Sequence, residues 1–332
     1  MLHARAVAAT VVFLVFAAAA AVLLVGAFVD YRSDAKKERF VQGDKDDGDA
    51  TAQTQVIRPP WKPAPEAGAA GVKSVEVVRS PDHKLEVVDT DDPDVGRCLL
   101  VDGRVQLCDK DEHTYHEMLV HFPSQYVAGG GPKSVAIFGG GDCHALREVL
   151  KYPTVERVVV FEWDQHLMAL SEKHFDGADA MRGDKRVTWI FGDPVKQAAR
   201  HVDANLQRYE LIVVDTKLRP GASPFGMAFY KDARLMLKQT GVLVRNGDDH
   251  KAHLKTLFSH CMTYSFFSTA LNKQYSMLLC ADFDLRAESV DGANLRRHRV
   301  HTRFYDPAKH FSHVAWHAAL KLPRKTEGED GA

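Results

Sequence analysis

Four acids stand where apolar runs end: Asp142 after V-A-I-F-G-G-G, Glu162 closing V-V-V-F-E, Asp193 in F-G-D-P, and Asp215 closing L-I-V-V-D. Asn246 closes a fifth run, G-V-L-V-R-N. Apolar strands alternating with helices predict a parallel sheet, and such sheets bind ligands beyond the carboxyl ends of their strands. Glu162 is placed to accept both hydroxyls of a ribose, or else is a solvated strand-end acid. Asp193 could take a hydrogen bond from an adenine amine, cap the following helix, or do both. Asp142 is more specific. The bare amides of a glycine turn welcome a carboxylate, whereas a fixed aspartate repels one and favours a ligand ending in an ammonium group. Its bland role is to cap the helix A-L-R-E-V-L. Asp215 opens a loop, D-T-K-L-R-P-G-A-S-P-F-G. An amine with a pKa near ~10.4 is protonated at neutral pH, so a carboxylate at the reacting centre can orient it and take its proton. Loop capping is the alternative.

The elements that must position these acids follow from periodicity. S-V-E-V-V, K-L-E-V-V-D and C-L-L-V-D-G-R-V-Q-L, within residues 72–110, predict a small antiparallel β subdomain. D-E-H-T-Y-H-E-M-L-V-H predicts a helix. Strands and helices then alternate through residues 111–325, with a helix expected around Ala233 to Lys238. The expected fold is α/β, with a hydrophobic helix ahead of the small β subdomain.

Composition narrows the function classes. Lys and Arg number 43 against 44 Asp and Glu, a formal net charge of -1, so a general nucleic-acid binder is excluded. The five cysteines are scattered, odd in number and without a C-x-x-C pair, which favours reduced thiols over a disulfide framework. His113-x-x-His116-Glu117 fits no zinc motif, so no metal is expected. From Ala6 to Val29 Thr10 is the only polar residue, and the run is long enough to cross a bilayer core of ~30 Å. Residues 1–30 therefore read as a membrane anchor, with a signal segment as the rival. Arg32, Lys36, Lys37 and Arg39 follow the run and only Arg5 precedes it, which favours a cytoplasmic catalytic domain over a secretory or organelle-lumen one. Residues 31–71 are charged, then Pro/Ala-rich, and read as a disordered tether, as does the tail 326–332.

Taken together, the motifs resemble the spermidine/spermine synthase family of polyamine aminopropyltransferases. The similar segments are L-V-D-G-R-V-Q-L-C-D-K-D-E-H-T-Y-H-E-M-L-V-H-F-P, G-G-G-D…L-R-E-V-L, V-E-R-V-V-V-F-E-W-D, the G-D at Gly192, Y-E-L-I-V-V-D, F-Y-K-D, G-V-L-V-R-N-G and R-F-Y-D-P-A-K-H…H-A-A-L-K-L-P. They run in family order from Val72 to Pro323. The resemblance implies a β subdomain on a Rossmann-like, methyltransferase-type sheet and a homodimer. It also implies aminopropyl transfer from decarboxylated S-adenosylmethionine, a co-substrate, to putrescine or another polyamine, with no prosthetic group. By the same analogy Asp215 is the base and Tyr115 orients the attacking amine. Donor-binding residues would be Gln106, Gly139, Gly141, Asp142, Glu162, Asp164, Gly192 and Asp193; Tyr115, His116, Asn246 and Gln274 would meet the acceptor.

The departures cluster on the acceptor side. The family's second acid, three residues after the base, is Leu218 here, and the shortened loop gains Lys217 and Arg219. Ser74 replaces an upstream glutamine, L-N-K-Q-Y-S replaces a proline-containing acceptor segment, and Pro194 follows Asp193 where an N–H is usual. Cys143 and His144 replace small residues behind Asp142. The alternative these departures raise is a weak or inactive relative, a membrane-tethered nucleoside- or polyamine-binding protein.

Overall fold

The structure, a computed structural model, describes residues 65–128, 131–204, 208–216, 225–247, 250–290 and 292–320. The Ala6–Val29 run, most of the tether, Lys217 to Arg219 and the tail lie outside the described residues. Among the described residues no helix is long and apolar enough to cross a membrane.

A four-stranded antiparallel meander comes first: β1 (Val72–Arg79), β2 (Lys84–Thr90), β3 (Arg97–Val101) and β4 (Arg104–Cys108). The single run C-L-L-V-D-G-R-V-Q-L divides into two strands. Asp102 and Gly103 both take positive φ, 52° and 76°, and a two-residue D-G link of that kind matches the twist of a hairpin. Helix α1 (Glu112–Ser124) leads to β5 (Ser134–Gly139), α2 (His144–Leu150), β6 (Arg157–Glu162), α3 (Gln165–His174), a short α4 (Ala178–Arg182), β7 (Val187–Phe191) and α5 (Pro194–Asp203). Then come β8 (Tyr209–Asp215), α6 (Met227–Met236), β9 (Leu237–Asn246), α7 (Lys251–Leu257), β10 (His260–Ser268), β11 (Lys273–Ala281), α8 (Ala293–His298) and α9 (His310–Leu320).

The second sheet has the order β10-β11-β9-β8-β5-β6-β7. β5 to β9 are parallel; β11 runs antiparallel to β9 and β10 antiparallel to β11. β5 is buried at all six residues because helices cover both faces, the reason its sequence is continuously apolar. β5 pairs with β6 on one side and β8 on the other, so the winding reverses between Gly139 and Asp215, where a ligand crevice opens.

Two expectations are corrected, and one element is added. The helix expected at Ala233 to Lys238 ends at Met236, because Leu237 already opens β9. The β10–β11 hairpin was not foreseen as structure. The cysteines are not all reduced thiols: Cys98–Cys108 and Cys261–Cys280 are disulfides, each joining directly opposed residues of neighbouring antiparallel strands. Sequence spacing alone does not reveal such pairs, since strand register creates them. Cys143 stays free and buried.

One buried carboxylate ties the chain's closing segment to α1. Glu117, with no exposed surface, accepts the backbone N–H groups of Arg303, Phe304 and Tyr305 at 2.7, 2.7 and 2.9 Å. Glu117→Ala would orphan three backbone donors, that of Tyr305 buried and the other two partly so, at about 1–3 kcal/mol each, partly relieved by water. A loss of roughly 3–5 kcal/mol is expected in chemical denaturation. A loss under about 1 kcal/mol would show that the segment finds other partners.

Candidate active site

The crevice expected at this switch point is bordered by the carboxyl ends of β5 and β8 and by α1, which reaches β8 through Tyr115. Tyr115, on α1, donates its hydroxyl to Asp215 Oδ1 at 2.5 Å. Its ring meets Tyr275 edge-on at 5.0 Å and Phe266 at 6.4 Å, so the phenol cannot swing away. Burial and then the charge of Asp215 push the phenol well above its ordinary range, so Tyr115 keeps its proton and donates. Asp215 itself is set by register, opposite Gly139 across the β5–β8 pair.

Asp142 follows the glycine turn. Its Oδ1 accepts the backbone N–H of His144 at 2.9 Å, while its Oδ2 lies 3.7 Å from His116 Nε2. His144 Nδ1 is 3.5 Å from Asp142 Oδ1, and the His116 and His144 rings stack at 5.1 Å. Burial alone would raise this carboxyl; His116 and His144 instead hold it well below the usual carboxylate range. His116 Nδ1 lies 2.7 Å from the Glu112 carbonyl and 3.0 Å from Glu112 Oε2, both acceptors, so the Nδ1 proton is fixed and Nε2 faces the crevice. Burial works against the imidazolium, but Asp142 and Glu112 raise its pKa to about 10. Glu112 is gripped in turn by Arg147 through two 2.8 Å bonds.

Glu162 Oε2 accepts the Gly141 N–H at 2.8 Å, and Oε1 those of Trp163 and Asp164 at 2.8 and 2.9 Å. Burial outweighs these donors and lifts its pKa to about 7. Asp164 caps α3 through His166 N–H at 2.9 Å. Asp193 caps α5 through Val195 N–H at 3.0 Å, with Pro194 at a first-turn position where a missing N–H costs nothing. Gly192, at φ 127°, donates to the Glu162 carbonyl at 2.9 Å.

Of the residues singled out from sequence, His116, Asp142 and Asp215 converge, with one ligating atom from each within 4.8 Å of the others, and Tyr115 joins them through Asp215. Gly139, Gly141, Glu162, Asp164, Gly192 and Asp193 line the adjoining strand ends. Asn246 ends β9, half-buried, opposite Met277. Gln106 is half-buried on β4, its amide donating to the Arg104 carbonyl at 3.0 Å, and Gln274 is exposed on β11 opposite Phe267. Lys273 Nζ sits 4.5 Å above the Tyr275 ring. Sequence reasoning missed Glu112, Arg147 and Tyr275. The i,i+4 spacing of Glu112 and His116 was the available signal for the first. Cys143, one of the two departures behind Asp142, is fully buried with φ 66°, and burial pushes its thiol far up, so it is inert packing.

The spermine/spermidine synthase domain matches residues 112–278, which contain every member of this cluster and half of the chain. The chain belongs to the spermine/spermidine synthase family. Within the family it is 36% identical over 174 residues to the polyamine aminopropyltransferase of Thermoanaerobacter sp. (strain X514), covering 52% of this chain and 60% of that protein. It is 35% identical over 184 residues to that of Leptospira biflexa serovar Patoc (strain Patoc 1 / Ames), covering 54% and 62%. The chain thus spans about three-fifths of the length of these relatives. In fold it is similar to a spermidine synthase solved in complex with the transition-state analogue AdoDATO, with a TM-score of 0.66, 23% identity, and 75% and 87% of the two chains covered.

Proposed function

We propose that the chain is a polyamine aminopropyltransferase, moving the aminopropyl group of decarboxylated S-adenosylmethionine to putrescine or another polyamine. The observation that carries the reading is the Tyr115–Asp215 pair opposite Asp142, on the rim where Glu162 and Gly141 adjoin. The acceptor nitrogen attacks the methylene bonded to the sulfonium. A C–N bond forms, the C–S bond breaks with its electrons on sulfur, and a neutral thioether nucleoside leaves. Asp215 takes the proton lost by the amine, and Tyr115, held protonated, fixes the carboxylate's orientation. Asp142 supplies the countercharge for the donor's ammonium. A donor that kept its carboxylate would face a fixed like charge there.

Glu162 serves the donor's ribose as an ionised acceptor. Its native pKa near 7 lies above its unfolded value of 4.5, so its contribution to fold stability is greatest below the unfolded value and is lost as pH rises through the native one. Nucleoside binding runs the other way, because ribose hydroxyls donate to the carboxylate. Affinity for methylthioadenosine is expected to rise about tenfold from pH 6 to pH 8. Glu162→Gln should flatten that profile in calorimetric titrations; a variant with the wild-type slope would assign the slope to another group.

The function is tested by incubating the full chain with the decarboxylated donor and a panel of diamines and polyamines, with products weighed by mass spectrometry. Aminopropylated product is the expected result. Donor binding with no product from any acceptor would sink the transferase reading.

A further inference from the structure

The acids and the imidazole that converge on the crevice are a ligand set in their own right. His116 Nδ1 is committed to Glu112, so Nε2 is the nitrogen turned towards Asp142, with Asp215 in the same cluster. Each of the three residues is anchored on one atom from outside: His116 by Glu112, Asp142 by the His144 N–H, Asp215 by the Tyr115 hydroxyl. That outer anchoring is how metal-ligating side chains are oriented. The 3.7 Å between His116 Nε2 and Asp142 Oδ2 is too long for a hydrogen bond, but close to the ~3.4 Å that separates neighbouring ligands on a tetrahedral ion with bonds near 2.1 Å. A second, independent feature lies beside them. His144 is 4% exposed, and its Nδ1, 3.5 Å from Asp142 Oδ1, has no hydrogen-bond partner.

We propose that His116, Asp142 and Asp215 form a site for one divalent first-row transition metal ion, Zn2+ being the best match to one imidazole and two carboxylates. The His144 imidazole is within reach as a fourth ligand. The ion takes the place of the His116 Nε2 proton, and it occupies the carboxylates that otherwise meet ammonium groups. Metal and amine therefore exclude one another; this second half rests on the transferase reading, whereas the metal site does not.

Co2+ titration of the untagged, metal-free full chain at pH 8, followed by visible absorption, tests the site. One Co2+ per chain, displaced by Zn2+, is expected, with X-ray absorption reporting one or two imidazoles on the ion. His116→Gln and Asp142→Asn, each checked for wild-type circular dichroism, should weaken binding at least ~30-fold, and Glu112→Gln ~10-fold through lost orientation. Unchanged affinity in the two ligand variants, or absorption data with no imidazole on the ion, would overturn the site. If Co2+ binds as expected but putrescine fails to displace it, the amine-site reading falls and the metal site stands.

The disulfides carry a separate inference. Four of the five cysteines are paired across strands, in two different sheets, and Cys98, Cys108 and Cys280 have no exposed surface. Structural disulfides persist in oxidising compartments and are rare where thiols are kept reduced. We infer that this domain matures on the non-cytoplasmic side of a membrane, reversing the orientation drawn from Arg32 to Arg39. Alkylation of the full chain in acid-quenched, denatured cells, followed by peptide mass spectrometry, decides it. Label on Cys143 alone before reduction is expected. Label on Cys98, Cys108, Cys261 and Cys280 as well would overturn the inference.

Discussion

Asp215→Asn is expected to lower aminopropyl transfer by about 10²–10⁴-fold, the range for removing a positioned general base. At ~1.4 kcal/mol per decade this is a loss of roughly 3–5 kcal/mol of transition-state stabilisation. The replacement is isosteric, and its amide oxygen can still accept the Tyr115 hydroxyl that Asp215 Oδ1 accepts at 2.5 Å. Nucleoside affinity should therefore stay within about twofold, because Glu162 and its amides lie on a different strand end. Single-turnover assays across pH separate the two readouts. The wild type should gain rate as the amine loses its proton with rising pH, and the variant should depend on pH more steeply because it has no internal acceptor. A variant retaining more than a tenth of wild-type turnover would remove Asp215 from the chemistry.

That Asp215 could be chosen from sequence reflects a simple physical fact. A parallel strand buried on both faces must be apolar until it leaves the sheet, so the first acid after L-I-V-V marks the ligand edge. The same reasoning found Asp142 and Glu162. It left Asp193 open between capping and binding, and in the fold the cap is made through Val195. What was not legible depends on register and on contacts far apart in sequence. Cys98 opposite Cys108, Cys261 opposite Cys280, and Glu117 closing on Arg303 to Tyr305 are set by strand pairing and packing, and none has a local signature. The β10–β11 hairpin was obscured because L-N-K-Q-Y-S reads as a binding loop. Asn272, at φ 46°, is the left-handed residue of that turn, a conformation asparagine tolerates.

The imidazoles show how a departure from the family acquires meaning only in three dimensions. In sequence, Cys143 and His144 intrude on a small-residue turn. In the fold, Cys143 packs inward, and His144 stacks on His116 beside the Asp142 carboxylate. Under the transferase reading, the donor's amine would meet an Asp142 already compensated by neighbouring imidazoles. Weaker donor binding than a lone carboxylate would give is the expected consequence on that reading.

The glycine that sets Asp215 carries the last large effect. Gly139 has φ 91°, and a Cβ there would lie 2.4 Å from the Asp215 carbonyl oxygen and 2.8 Å from Thr216 Cβ. Neither neighbour is the far end of a flexible side chain, so β8 must move. Gly139→Ala combines backbone strain of about 1–3 kcal/mol with overpacking of similar size, an expected loss of roughly 3–5 kcal/mol in denaturant titrations. Gly177→Ala is the matched control. It has φ 81°, but its nearest atom, Met181 Cε, is 3.8 Å away, so only the strain remains, about 1–2 kcal/mol. Since Gly139 pairs with Asp215 in register, the protein that still folds after Gly139→Ala should also lose at least ~100-fold in transfer rate, as expected when a reacting group is misplaced by about 1 Å. Equal losses of stability in the two variants would mean that β8 yields freely, and that the turn does not fix Asp215.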